Sequence, residues 1–114
     1  MLKKLHRLKK NKDFSRVFKR SKKIRTENLL FNIAQFSRVE VSRFGFVVAN
    51  SIDKRATRRN GMKRRMRAAI KELLPEIKTG YDAIISVKKP FFYPYKLAEI
   101  KDQIKKGLSD AGLL

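Results

Sequence analysis

The chain has 114 residues, of which 42% are hydrophobic, and this is enough for one domain with one modest core. It contains no cysteine, which excludes disulfides, thiolate catalysis and cysteine zinc sites. No stretch approaches the roughly 20 apolar residues of a membrane span, and the N-terminus lacks the apolar run of a signal peptide. We therefore expect a soluble protein of the cytoplasm.

The positive charge of +20 is concentrated in two segments. Residues 1–25 hold twelve basic residues and one acid, and residues 54–71 hold nine basic residues and no acid. A merely solubilising surface would scatter charges of both signs, whereas clustered cations repel one another unless a polyanion binds them. Nucleic acid is the expected partner. A membrane surface is disfavoured, because neither segment has the bulky apolar face of an interfacial helix.

The predicted elements begin with a basic N-terminal arm over residues 1–12. A short helix follows and runs to about Lys23, with Asn11 or Asp13 as its cap. Three apolar residues at helical spacing share one face of this helix: Phe14, Val17 and Phe18. Such a face packs on a sheet or lines a groove beside it.

Two strands are predicted next. The first covers residues 28–36 and alternates, with apolar side chains toward one side and Asn32 on the exposed side. The second covers residues 43–49. Residues 37–42 between them form a polar connection of hairpin length.

The second half of the chain predicts a helix over residues 57–74, a strand over 81–87 and a final helix. The apolar face of the final helix consists of Leu97, Ile100, Ile104 and Leu108. The order of helix, strands, helix, strand and helix predicts an α+β fold. We expect a single RNA-binding domain over residues 1–114, with three helices around one mixed sheet, as in the α/β sandwiches of ribosomal proteins.

The helix over residues 57–74 separates apolar and basic side chains. Its apolar stripe, which should pack on the sheet, consists of Met62, Met66, Ala69, Ile70 and Leu73. Another side carries Asn60, Lys63, Arg64, Arg67 and Lys71. A solvated helix face would interleave acids for i,i+4 pairs, but none occurs between Asp53 and Glu72. This side is therefore predicted to bind phosphates.

The same helix carries a family resemblance. Residues 56–67 resemble the signature of the bacterial ribonuclease P protein component, in which Arg-Asn is followed after two residues by Lys-Arg and then by a further Arg. The residues that match in type and spacing are Arg59, Asn60, Lys63, Arg64 and Arg67. Residues 7–18, 44–48 and 81–85 are similar to that family as well.

Two positions depart from the family pattern. Gly61 stands where the family usually has Arg or Lys, and because Gly weakens a helix interior, we expect the helix to start late or to fray. The loop at residues 49–51 lacks the Ser-Lys-Lys-like run of the family. Lys54 and Arg55 are candidates to compensate.

The resemblance implies a subunit that binds a catalytic RNA and the single-stranded 5′ leader of precursor tRNA. The residues expected to bind the catalytic RNA are Arg58, Arg59, Asn60, Lys63, Arg64, Arg67 and Lys71. The residues expected to bind the leader, in a cleft between the first helix and the sheet, are Phe14, Phe18, Arg16, Asn32, Lys9 and Lys10.

The aromatic residues have competing interpretations. Phe14 and Phe18 either pack the first helix on the sheet or stack on unpaired bases, and the resemblance favours stacking. The aromatic cluster at residues 91–95 is interpreted mainly as a packing hinge. His6 is interpreted as an incidental residue of the basic arm.

No protein active site is expected, because the ten acids are scattered singly and the one His has no cysteine to accompany it. The resemblance implies that the RNA subunit cleaves the phosphodiester with Mg²⁺ held mainly by RNA, so no catalytic or metal-binding residue is assigned. One alternative is a ribosomal or other structural RNA-binding protein without a substrate cleft. A DNA-binding module is disfavoured, since no helix-turn-helix pair or basic-zipper heptad follows the basic helix.

Overall fold

A computed structural model describes residues 2–35 and 41–114 of the chain. Its helices are a 3-10 turn at Lys4–His6, α1 at Asn11–Arg20, α2 at Ala56–Leu73, a 3-10 turn at Leu74–Glu76, and α3 at Leu97–Asp110. Its strands are β1 at Lys22–Arg25, β2 at Leu29–Gln35, β3 at Arg43–Val47 and β4 at Tyr81–Val87. Residues 36–40, which include most of the predicted polar connection, lie outside the described residues.

The four strands form one mixed sheet in the order β1-β2-β4-β3. β2 pairs antiparallel with both β1 and β4, whereas β3 pairs parallel with β4. The predicted α+β fold with three helices and a mixed sheet is thereby confirmed. The strand order, which the sequence left open, places β4 between β2 and β3, so these two strands do not form a hairpin although the segment between them has hairpin length.

β1 was not predicted from the sequence, which extended the first helix to Lys23. The helix instead ends at Arg20, and Ser21 is already extended. Ile24 pairs with Phe31 of β2 and packs against the core, so pairing with a neighbouring strand decides the conformation. The predicted caps are also wrong: in the part of the chain that the structure describes, Lys10 precedes α1 and no side chain caps it.

Helices cover both faces of the sheet. α2 and α3 enclose the larger core, where the predicted α2 stripe of Met62, Met66, Ala69, Ile70 and Leu73 is almost fully buried beside Phe31 and Ile85. α1 covers the other face, where Val17 packs on Ala34 and Ile84. The apolar stripe therefore fixes which side of α2 points outward.

The N-terminal arm is packed on the domain. Leu2 and Leu8 are buried, and the backbone N–H of Leu8 donates to the carbonyl oxygen of Phe44 at 2.9 Å. The predicted arm over residues 1–12 is thus anchored next to β3, and its basic side chains stand beside the sheet. Among the described residues, no helix is long and apolar enough to cross a bilayer.

Candidate nucleic-acid interface

The outer face of α2 is the most strongly basic surface of the helix. Asn60, Arg64 and Lys71 are exposed and Lys63 is partly buried, while the opposite side of the helix is enclosed by the core. No acid stands among residues 54–71 to neutralise these cations. The arrangement offers a row of cationic and amide donors to phosphate oxygens.

Gly61 does not delay the start of α2. The helix begins at Ala56, and Gly61 is buried in its second turn. A Cβ atom at Gly61 would lie 3.5 Å from Cε2 of Tyr95, which is ordinary van der Waals contact. The expected late or frayed start is therefore wrong, because packing against Tyr95 offsets the weak helix propensity of glycine.

The side chain of Arg59 forms hydrogen bonds with the loop before α2. Its Nη1 atom donates to the carbonyl oxygens of Asp53 and Lys54, each at 2.9 Å. Asp53 also accepts from the backbone N–H of Arg55 at 2.9 Å. The sequence predicts that Arg59 binds RNA, and the structure shows that the same side chain also holds the loop that precedes the basic face.

Arg58 and Arg65 point to the flank of α2 that faces residues 91–95. The guanidinium of Arg58 lies 4.2 Å from the ring centroid of Tyr93, and that of Arg65 lies 5.8 Å from the ring centroid of Tyr95. Arg65 Nε also donates to the Tyr95 carbonyl oxygen at 2.9 Å. Arg58, predicted to act with the outer face, is thus directed to this flank.

Arg67 lies on the opposite flank, above β3. Its guanidinium is 5.9 Å from the ring centroid of Phe46. Burial, and secondarily the nearby charge of Arg7, lowers the pKa of Arg67. An anion bound between Arg7 and Arg67 would reduce the repulsion between these two guanidinium groups.

A groove between α1 and β3 extends the basic surface toward the aromatic residues of α1. Its lining consists of Arg7, Leu8, Lys9, Phe14, Phe44, Gly45, Phe46 and Arg67. The sequence predicted Phe14 and Lys9 here but missed Arg7 and Phe46. Arg67, assigned from sequence to catalytic-RNA binding, lies in the groove as well and joins the two surfaces.

Phe14 and Phe18 have different surroundings. Phe14 is partly buried over Gly45, where a Cβ atom would come within 2.6 Å of Cζ of the ring. Phe18, one turn further along α1, keeps 49% of its surface exposed, whereas Val17 between them is buried. Packing on the sheet accounts for the apolar side chain of Val17 and in part for that of Phe14. The ring of Phe18 remains accessible to a ligand. Lys10, at the start of α1, is exposed.

Two of the predicted leader contacts are engaged inside the protein. Asn32 is only 2% exposed, and its Oδ1 accepts a hydrogen bond from the Ser21 hydroxyl at 3.1 Å. The prediction that Asn32 is exposed is wrong, because α1 covers that face of β2. Arg16 lies 3.9 Å from carboxylate oxygens of both Asp13 and the buried Asp82.

The cluster at residues 91–95 is only partly a packing hinge. Phe91 and Tyr95 are buried, but Phe92 and Tyr93 are 89% and 61% exposed.

His6 of the basic arm contacts the residue before β3. Its Nδ1 atom lies 2.9 Å from the carbonyl oxygen of Ser42.

The described residues, 2–35 and 41–114, contain no group of three His, Cys, Asp or Glu side chains that could hold a metal ion. The interface consists of cations, amides and aromatic rings. Such side chains can bind phosphate oxygens and stack on unpaired bases.

Comparison with known proteins agrees with this chemistry. A family model described as Ribonuclease P matches residues 2–112. The ribonuclease P protein component of Microcystis aeruginosa is 34% identical over 109 residues, which cover 90% of this chain and 91% of that protein. The Synechocystis sp. protein of the same name is 41% identical over 81 residues, covering 71% of this chain and 65% of that relative.

Solved structures share the fold. The RNase P protein of Staphylococcus aureus superposes with a TM-score of 0.83 at 23% identity, covering 95% of this chain and 96% of that one. The RNase P protein of Thermotoga maritima gives a TM-score of 0.78 at 25% identity, covering 88% and 92%. Because the family model spans both the basic face of α2 and the groove beside α1, the chain belongs to the ribonuclease P protein component family.

Proposed function

We propose that this chain binds the catalytic RNA of ribonuclease P through the outer face of α2 and the 5′ leader of precursor tRNA through the α1–β3 groove. The observation that carries the proposal is the acid-free face of Asn60, Lys63, Arg64 and Lys71, which the buried stripe beneath holds outward. Like charges at this spacing destabilise an isolated helix, so a polyanion is the partner that they suit.

The leader is assigned to the groove because it combines aromatic rings with cations. Phe14 lines it, and Phe18 lies exposed on the next turn of α1. Lys9 and Arg67 supply positive charge near these rings. Stacking on a ring tolerates any base, so such a groove suits leaders of many sequences. Asn32 is buried and is therefore not assigned to leader binding.

Within this proposal the protein positions RNA, and the RNA subunit carries out the cleavage. The protein would reduce repulsion between the phosphates of the two RNAs as they approach each other. Mg²⁺ is assigned to RNA ligands, and the described part of the chain brings no three His, Cys, Asp or Glu side chains together as a metal site. We expect the complex to act in the cytoplasm on precursor tRNA.

Reconstitution tests the proposal. The protein is added to a bacterial ribonuclease P RNA at low Mg²⁺, where the RNA alone cleaves slowly, and the release of the leader from precursor tRNA is followed. We expect the protein to increase cleavage of precursor tRNA. If it binds the RNA but leaves cleavage unchanged, a structural RNA-binding role replaces this proposal.

A further inference from the structure

A second aromatic and basic surface lies on the flank of α2 opposite the α1–β3 groove. We name it the Tyr93 hollow, and its lining consists of Thr57, Arg58, Gly61, Arg64, Arg65, Tyr93 and Tyr95. Three of these residues are arginines and none is acidic. The functions proposed above do not use Tyr93 or the shape of this hollow.

The hollow has a rigid frame. Tyr95 is buried, and its ring meets that of Tyr93 edge to face at 5.3 Å with an angle of 88°. Arg65 fixes the wall by donating to the carbonyl oxygens of Tyr95 at 2.9 Å and Gly61 at 3.2 Å. At Gly61 a Cβ atom would lie 3.5 Å from Cε2 of Tyr95 and 3.6 Å from Nη1 of Arg65, so the ring and the guanidinium both pack close to the helix backbone there. The frame is therefore set before a ligand arrives.

Packing within the chain does not account for Tyr93. The side chain is 61% exposed although Phe91 and Tyr95, two residues before and after it, are buried. The Arg58 guanidinium lies over one face of the Tyr93 ring, 4.2 Å from its centroid, so the exposed ring and a cation are presented together. An exposed ring with a guanidinium against it can hold a nucleotide, with the base on the ring and the phosphate on the arginine.

We propose that the Tyr93 hollow binds one unpaired nucleotide of the same RNA that occupies the outer face of α2. Its base stacks on the face of the Tyr93 ring that Arg58 does not cover, and its phosphate pairs with Arg58 and Arg64. Arg64 makes the connection, because it is exposed on the outer face and also lines the hollow. The inference rests on the proposed RNA-binding function and adds a stacking site to it.

RNA fits the hollow better than an acidic protein segment does. The surrounding segment, residues 54–71, has nine cations and no acid, which continues the phosphate-binding face without a break. A flat aromatic ring beside this face serves a base equally well whatever its identity. An acidic peptide would use the arginines but would leave the ring of Tyr93 without a matched partner.

Fluorescence tests the stacking directly, because the chain contains no tryptophan. The variant Tyr93→Trp is titrated with a bacterial ribonuclease P RNA, while filter binding measures occupancy independently. We expect the tryptophan emission to be quenched with the same midpoint as filter binding. Phe92→Trp is the matched control, since Phe92 is the adjacent residue, is 89% exposed and lies outside the hollow. Its emission should change much less.

Affinity provides the second measurement. Tyr93→Ala should weaken RNA binding by roughly tenfold with an unchanged salt dependence, because a stack is lost and no phosphate contact is. Tyr93→Phe should bind like the unmodified chain. If RNA binds on filters while Tyr93→Trp emission stays constant, or changes no more than Phe92→Trp, the hollow is not a nucleotide site. If the unmodified chain does not bind the RNA at all, the proposed function itself fails.

Discussion

Arg43 and Asp82 form a two-point ion pair across the β3–β4 ladder. Nη2 of Arg43 lies 2.6 Å from Oδ2 of Asp82, and Nε lies 3.0 Å from Oδ1, with the carboxylate fully buried. Hydrogen bonding to Asp82 raises the pKa of Arg43, although burial of the guanidinium acts in the opposite direction. Asp13 of α1 is 3.7 Å from the same guanidinium, so the pair also ties α1 to the sheet edge.

Removing the arginine should destabilise the fold. Arg43→Ala leaves Asp82 buried without its closest cation and should lower the free energy of unfolding by about 3 kcal/mol. Urea unfolding followed by circular dichroism measures the change. Lys22→Ala, an exposed residue on the edge strand β1, is the control and should lie within about 0.5 kcal/mol of the unmodified chain. Equal stability of the two variants would contradict the structural role of the pair.

The outer face of α2 should contribute phosphate contacts that salt competes with. Arg64→Ala is expected to weaken binding to the catalytic RNA and to reduce the slope of log affinity against log salt by about one unit at most. Filter binding at several salt concentrations measures both quantities. Lys105→Ala removes another exposed cation, which lies on α3, and should leave the slope almost unchanged. A matching loss in both variants would indicate general charge attraction instead of a defined face.

Phe18 should distinguish substrate from product. Phe18→Ala is expected to weaken binding of precursor tRNA to the holoenzyme by about 1–3 kcal/mol, through loss of one stacked base. Mature tRNA has no leader, so its affinity should be almost unchanged. Phe18→Tyr retains the ring and should bind like the unmodified protein. Equal losses for the two tRNAs would remove Phe18 from the leader site.

Two glycines should respond in opposite ways to alanine. Gly45→Ala places a Cβ 2.6 Å from the Phe14 ring and should lower the free energy of unfolding by about 1–3 kcal/mol. Gly61→Ala meets only ordinary contact at 3.5 Å from Tyr95, and alanine should raise the stability of the α2 interior by about 0.5–1 kcal/mol. Urea unfolding of both variants measures the signs. Stabilisation by Gly45→Ala would show that the Phe14 ring moves freely.

The sequence predicted those elements whose own pattern is long enough to specify them. The stripe that contains Met62, Met66 and Ile70 repeats over about three turns of α2, so the buried side and the basic side of the helix both follow from helical periodicity. β4 is predicted with its observed bounds, Tyr81–Val87, because Gly80 precedes it and the polar residues and proline at 88–90 end it. Charge clustering likewise indicated nucleic acid, since it depends on composition and order alone.

What the sequence left open depended on which segments meet in space. β1 has four residues and becomes a strand only because β2 lies beside it. The alternation of β2 places Asn32 on the face predicted to be exposed. In the structure α1 covers this face, and the Ser21 hydroxyl donates a hydrogen bond to Asn32.

Sequence alone therefore determined the basic face of α2, because helical periodicity can be recognised within one continuous segment. Only the tertiary structure placed Arg67 above Phe46 and Arg58 beside Tyr93. These residues are separated along the chain by 21 and 35 positions respectively. No local pattern encodes such contacts, because they arise from the packing of α2 against the sheet and against the segment before α3.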